Sequence, residues 1–252
     1  MRKTLLISIV SSCLTLCMGV SAQGAYTYTT LDVPGTNNET YARGIDGMNI
    51  VGYYYSGGSH GFSYDGTTYT TLDVPGASHT YAYGIDGSNI VGEYYDGSYH
   101  GFSYDGSTYT PFDVPGASRT YAYGIDGSNI VGYYRDGGYN YHGFSYDGTT
   151  YTTLDVPGAG ATYAYGIGGG NIVGAYYVGG SYHGFIYDGT TYTTFDVPGA
   201  SDIYAYGIDG GNIVGNYYDS SQRTHGFIAV IPEPATLSLL AVGVLMVCRR
   251  RR

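Results

Sequence analysis

Between Tyr26 and Val230 the chain repeats itself every 40–42 residues, and the array is cut out of phase with its own module. The phrase "TYTTLDVPG" and its close variants recur with their aspartates at Asp32, Asp73, Asp113, Asp155 and Asp196. Every copy after the first follows an "HGFSYDG"-type segment. The last such segment, "HGFIAV", is followed by no further copy. A period of this size that holds four strand-like segments is the signature of a propeller blade.

The second module shows the four segments. "TYAYGI" (Thr80–Ile85), strand a, alternates Tyr81, Tyr83 and Ile85 against Ala82 and Gly84. "NIVGEYY" (Asn89–Tyr95), strand b, is rich in β-formers. "HGFSY" (His100–Tyr104), strand c, sets His100, Phe102 and Tyr104 on one face. "STYTPFDV" (Ser107–Val114), strand d, alternates again and ends at Pro115-Gly116. Period-2 patterning bounded by Gly, Asp and Pro argues strand throughout, and no window between the terminal segments carries a helical period. The chain order is therefore d, then abcd four times, then abc. If the modules close into a ring, Tyr26–Val33 pairs beside His225–Val230, completes the fifth blade and removes an exposed edge. The predicted fold is all-β: a five-bladed propeller of four-stranded blades closed by its own termini. The alternative is a β-solenoid, in which the "TYT" threonines (Thr27–Thr29, Thr68–Thr70, Thr108–Thr110, Thr150–Thr152, Thr191–Thr193) would stack into a flat ladder suited to adsorbing ice or another surface.

The two ends read differently. Residues 1–22 carry Arg2 and Lys3, an apolar run from Leu5 to Val20, and "VSA", the pattern of a secretory signal peptide. Residues 23–231 form the repeat ectodomain, and 232–252 read "PEPATLSLLAVGVLMVCRRRR". Ala235–Cys248 is a short apolar helix candidate, of about 21 Å at 1.5 Å per residue, and the four arginines after it favour the cytoplasmic side. Cys13, Cys17 and Cys248 all lie in the end segments, so the ectodomain has neither disulfides nor thiol chemistry. Of twenty acidic residues only Glu233 falls outside the ectodomain, where they face just Arg43, Arg119, Arg135 and Arg223. So acidic a domain repels phosphate backbones, which excludes nucleic acid as a partner.

Pro232-Glu233-Pro234, an apolar helix and the cluster Arg249, Arg250, Arg251 and Arg252 together resemble the PEP-CTERM protein-sorting signal of Gram-negative bacteria. The resemblance implies processing by an exosortase near Pro-Glu-Pro, an inner-membrane intermediate tethered by the C-terminal helix, and delivery to the cell surface or extracellular matrix. The repeats also resemble the HAF-type extracellular repeats often found beside such tails.

Alternating strands put the a–b and c–d turns on one face and the b–c and d–a loops on the other. The first set barely changes between modules, and its Asp-Gly pairs suit tight hairpins that need positive φ. The second set varies in length and charge. It carries Arg119, Arg135 and Arg223, the unrepeated His79, and the "YNY" of Tyr139, Asn140 and Tyr141. Variation confined to one face of a repeat protein marks a binding surface. Tyrosine stacks on sugar rings, with Asn, Asp and Arg supplying hydrogen bonds. These seven residues are the candidate ligand contacts, with extracellular polysaccharide as the expected partner.

The repeated polar residues point to structural roles. The "DVPG" aspartates suit hydrogen bonds to local backbone N–H groups. The "HGF" histidines (His60, His100, His142, His183, His225) are too dispersed to share one metal. The "GIDG" aspartates Asp46, Asp86, Asp126 and Asp209, with Gly168 in the fourth module, suit turn chemistry. The tyrosines after "NIVG" (Tyr54, Tyr94, Tyr134, Tyr176, Tyr217) suit sheet packing with a paired hydroxyl. No zinc- or calcium-type ligand spacing, nucleophile motif or phosphate loop is present, so no cofactor is expected. The function expected is a non-enzymatic surface or matrix protein that binds glycan. The alternatives are a purely structural envelope component, the adsorbing solenoid, and a glycosidase-like propeller.

Overall fold

The structure, a computed structural model, describes residues 30–36 and 39–231. Blade one comprises β1 (Thr40–Asp46), β2 (Asn49–Tyr55), β3 (Ser59–Tyr64) and β4 (Tyr69–Leu72). Blade two comprises β5 (His79–Asp86), β6 (Asn89–Tyr95), β7 (Tyr99–Tyr104) and β8 (Tyr109–Phe112). Blade three comprises β9 (Arg119–Asp126), β10 (Asn129–Arg135), β11 (Tyr141–Tyr146) and β12 (Tyr151–Leu154). Blade four comprises β13 (Ala161–Gly168), β14 (Asn171–Val178), β15 (Ser181–Tyr187) and β16 (Tyr192–Phe195). Of blade five the described strands are β17 (Ala200–Asp209), β18 (Asn212–Asp219) and β19 (Thr224–Val230). Each sheet is an antiparallel meander in chain order, and the five a strands line one central cavity. The protein is a five-bladed β-propeller. The solenoid alternative falls here, and the threonines of the described d strands β4, β8, β12 and β16 lie on separate sheets rather than in one ladder.

The blades pack face to face through positions the repeat keeps apolar. Val51 of β2 and Leu72 of β4 meet Ala82 and Ile90 of blade two. Val131 and Leu154 meet Ala164 and Ile172 in the same way. Phe62, Phe102, Phe144 and Phe185 are fully buried. Their rings lie against the glycine of "NIVG", which leaves no room for a side chain: a Cβ at Gly92 would fall 1.9 Å from the Tyr81 carbonyl oxygen and 2.8 Å from the Phe102 ring. Strand d is shorter than its patterning predicts. In blade two it starts at Tyr109 rather than Ser107, because Asp105 accepts hydrogen bonds from Ser107 N, Ser107 Oγ and Thr108 N, each at 2.8 Å, and folds those residues into the turn.

Four junctions between blades are tight. Gly44, Gly84, Gly124 and Gly166 each abut the carbonyl oxygen of the next blade's strand-a tyrosine. Three of the four "GIDG" aspartates tie blades together rather than their own turns. Asp46 accepts from Gly87 N at 2.8 Å, Asp86 from Gly127 N at 2.6 Å and Asp126 from Gly169 N at 3.0 Å. Gly168 replaces the aspartate where a Cβ would lie 2.4 Å from the Ile208 carbonyl oxygen. Between blades five and one the described residues pack more loosely: Gly207 meets only Val214, and Val214 and Ile45 are exposed.

The expected pairing of Tyr26–Val33 with His225–Val230 lies largely outside the described residues, as do the signal peptide and the C-terminal apolar helix. The described end of that segment is placed like the other d-strand ends. Val33 N donates to Thr40 Oγ1 at 3.1 Å and its side chain packs on Tyr54 and Phe62, as Val74 does with Thr80, Tyr94 and Phe102. At the other end, Ile231 N donates to Gly211 O of an a–b turn at 2.8 Å. The chain therefore leaves blade five on the tight-turn face, opposite Arg135 and Arg223. Among the described residues no helix is long and apolar enough to cross a membrane.

Candidate functional site

Five of the seven candidate contacts fall on the rim of blade three. Arg135 stands opposite Arg119 on one side and Tyr141 on the other, because β9, β10 and β11 end in register at that row. Like charges placed directly opposite in a sheet are normally unfavourable, and each guanidinium here lies over an aromatic ring: Arg119 over Tyr99 at 5.4 Å and Arg135 over Tyr139 at 4.7 Å. Arg135 Nε also donates to Ser118 Oγ at 3.1 Å. Every ion pair among the described residues uses a histidine, so neither arginine has a carboxylate within 4.0 Å.

The loop that presents Tyr139 is held from within. Asp136 Oδ1 accepts from Gly138 N and Asn140 N, each at 2.8 Å, and Asp136 Oδ2 accepts from Asn140 Nδ2 at 3.0 Å. Those donors, the Asn140 amide first, hold the Asp136 carboxyl below its usual range. Tyr139, at φ 70°, is left 73 % exposed. Asn140 is thus mainly a staple of the loop, with its amide nitrogen already engaged. His79 joins the strip from blade two, packing against Tyr95 at 5.9 Å, which in turn meets Tyr99 at 5.0 Å. Arg223 lies apart on blade five, where its backbone N–H donates to Asp219.

The "DVPG" aspartates do not serve local backbone N–H groups as expected. They pair with the "HGF" histidines: His60 with Asp73 at 2.9 Å, His100 with Asp113 at 2.8 Å, His142 with Asp155 at 2.9 Å and His183 with Asp196 at 2.8 Å. The tyrosine after "NIVG" lies over each imidazole, 5.4 Å away in the Tyr54–His60 pair and 5.2 Å in Tyr134–His142. Tyrosine, histidine and aspartate thereby clamp strands b, c and d of blades one to four; in blade five Tyr217 lies over His225, whose Nε2 meets Asp219 at 3.2 Å instead. Among the described residues no group of three His, Cys, Asp or Glu is placed to hold a metal ion.

A second constellation lies on the axis. A cavity of about 720 Å³ is walled by the five a strands. Its lining runs from the level of Tyr83, Tyr123, Tyr165 and Tyr206 to that of the isoleucines two residues on, and so occupies the half of the axis nearer the tight turns. Away from the cavity the rings pack on one another, Tyr121 stacked on Tyr133 at 4.7 Å and Tyr163 edge-on to Tyr133 at 5.0 Å. Burial pushes the Tyr83, Tyr123 and Tyr165 phenols well above their ordinary range, so they remain neutral hydrogen-bonding groups. In blade one Arg43 takes the tyrosine's place and donates to Tyr53 OH at 2.8 Å. In blade five Asn216 reaches the same cavity.

Behind this ring Glu93 is 6 % exposed, and burial raises its carboxyl to about 7. Arg43, Glu93 and Asn216 escape a motif-by-motif reading because each stands inside a strand. Aligning the modules column by column exposes them: Arg43 where four modules have tyrosine, and Tyr53, Glu93, Tyr133, Ala175 and Asn216 in a single column.

Residues 230–252 match the PEP-CTERM protein-sorting motif. The chain therefore carries a tail consistent with an exosortase substrate, and that motif implies export. No curated protein matches the sequence. Among solved structures, the β-propeller domain of the Trilobed protease from Pyrococcus furiosus, described as having an open velcro topology, is similar at 13 % identity and a TM-score of 0.52. The match covers 76 % of this chain and 63 % of that one. A puromycin-hydrolyzing peptidase from Mycobacterium tuberculosis is similar at 14 % identity and a TM-score of 0.51, over 74 % of this chain and 34 % of that one. Aleuria aurantia lectin, solved with α-methyl-L-fucoside, is 20 % identical with a TM-score of 0.46, over 77 % and 76 % of the two chains. The two peptidase propellers show the fold alone, and this chain spans less than two thirds of either.

Proposed function

We propose that this protein is delivered by its sorting tail to the cell surface or extracellular matrix, where it binds acidic polysaccharide without turning it over. The observation that carries this reading is the Arg119–Arg135 pair: two cations in register, each backed by a tyrosine and neither neutralised, in an otherwise strongly acidic domain. A guanidinium fork matches a carboxylate or sulfate, and the exposed Tyr139 offers a face for a sugar ring. Three strands fix this row, which favours a chain-like ligand lying across it. Because the tail leaves from the opposite face, a tethered molecule presents the rim away from the membrane.

The test is binding of the purified exported protein to immobilised polyuronate and to neutral dextran. Binding should favour polyuronate and weaken with salt. The double variant Arg119→Ala/Arg135→Ala should lose roughly tenfold or more, as expected when charge-assisted hydrogen bonds worth about 1.5–3 kcal/mol are removed. Silence toward both polymers would leave the protein a structural component of the envelope.

A further inference from the structure

We propose that the axial cavity is a second binding site, independent of the rim, for a small carboxylate-bearing polyol of the uronic-acid class. Its carboxylate would rest on Arg43, and its hydroxyls on Asn216 and the ring of phenols. The inference starts from charge. Arg43 stays protonated at any physiological pH. Its one hydrogen-bond partner among the described residues is the Tyr53 hydroxyl, and no carboxylate of those residues lies within ion-pair distance of it. A lone cation in a concave wall of neutral groups favours an anion, and its planar fork favours a carboxylate.

Asymmetry gives the second argument. A repeat array tends to make equivalent positions, yet two departures, Arg43 and Asn216, line the cavity from neighbouring sides, while Glu93 of blade two is buried behind the ring. Arg43 of blade one and Asn216 of blade five flank the looser junction. This leaves one charged donor and one amide on the same wall. The Tyr83 phenol, its hydrogen committed to Glu93, can still accept from a ligand hydroxyl, and a phenol with a free hydrogen can donate as well. Ile85, Ile125, Ile167 and Ile208 line the wall on the turn side and supply apolar surface for a ring face. The cavity, at about 720 Å³, falls within the range usual for small-molecule sites, roughly 300–1,000 Å³.

The experiment is a calorimetric titration of the exported protein with D-glucuronate and, in parallel, D-glucose. Saturable binding of glucuronate is expected, with glucose at least tenfold weaker. Arg43→Tyr, which installs the residue of the other four modules, should abolish that preference and leave thermal stability intact. Arg43→Gln serves the same purpose should the tyrosine variant not fold. Because the rim arginines also match a carboxylate, the titrations are repeated on the Arg119→Ala/Arg135→Ala background: saturable glucuronate binding that survives there and is then removed by the Arg43 substitution belongs to the axis and not to the polymer surface. Absence of saturable glucuronate binding, equal affinity for the two sugars, or unchanged binding in the Arg43 variants would each overturn the assignment, as would loss of binding in the rim variant.

Discussion

Tyr83 donates its phenolic hydrogen to Glu93 Oε1 at 3.0 Å, and Glu93 Oε2 has no hydrogen-bond partner among the described residues. A carboxylate satisfied on one side only, between blades lined with tyrosine, is costly to ionise. Burial raises the Glu93 carboxyl from its usual 4.5 to about 7 in the folded protein.

The sign follows from proton linkage. Below the unfolded value both states hold the proton and Glu93 costs nothing. As pH rises toward 7 the unfolded chain ionises first, so stability falls across that window and stays reduced above it. At about 1.4 kcal/mol per unit the full penalty is on the order of 3 kcal/mol. The turn aspartates such as Asp65, held low first by the Thr67 hydroxyl, act at more acidic pH and do not mask the effect. Glu93→Gln should be more stable than the parent at pH 8 and should flatten the fall between pH 5 and pH 8. Urea midpoints at the two pH values measure this, and parallel midpoints for parent and variant would refute it.

Gly92→Ala should destabilise the protein by about 3 kcal/mol, at the upper end for overpacking. The new methyl would press on the Tyr81 backbone carbonyl and the Phe102 ring, and the backbone on that side is held by the sheet. Gly137→Ala is the control. It has nothing within 4 Å, and its change should stay within about 0.5 kcal/mol. Denaturant unfolding of the two variants gives the comparison.

Restoring the repeat consensus at Gly168 should be harmful. Gly168→Asp places a Cβ against the Ile208 carbonyl and should lower the melting temperature. Asp86→Ala should cost about 1 kcal/mol, the net worth of one hydrogen bond, here to Gly127 N. A Gly168→Asp protein more stable than the parent would show that blades four and five can separate at little cost.

Val33→Ala should cost about 2 kcal/mol, by the loss of roughly two buried carbons from the contact with Tyr54 and Phe62. The loss should appear in the single cooperative unfolding transition of the propeller. A separate early transition would show instead that this segment melts independently of blade one.

Much of the architecture was legible because its determinants are local. Alternation in "TYAYGI" and "NIVGEYY" predicts β5 and β6 to within a residue, since period-2 side-chain placement belongs to any strand. Asp-Gly at the turns reads correctly too: Gly66 and Gly106 sit at φ 96°. The rim was legible in part, because loops that vary between modules announce themselves by length and charge. The partners of the polar repeats were not. Asp73 lies thirteen residues from His60, and only the registers of β2, β3 and β4 bring that pair under Tyr54. Asp46 reaches Gly87 across a blade boundary that no local pattern encodes.

By itself the sequence determined the module, its four strands, their turns and the sorting tail, since each depends on neighbours a few residues apart. The tertiary structure alone decided that one column of strand a faces an axis. Five copies of that column meet only when the sheets stand in a ring, and the ring turns Arg43, one odd residue in a repeat, into the single cation of a shared cavity.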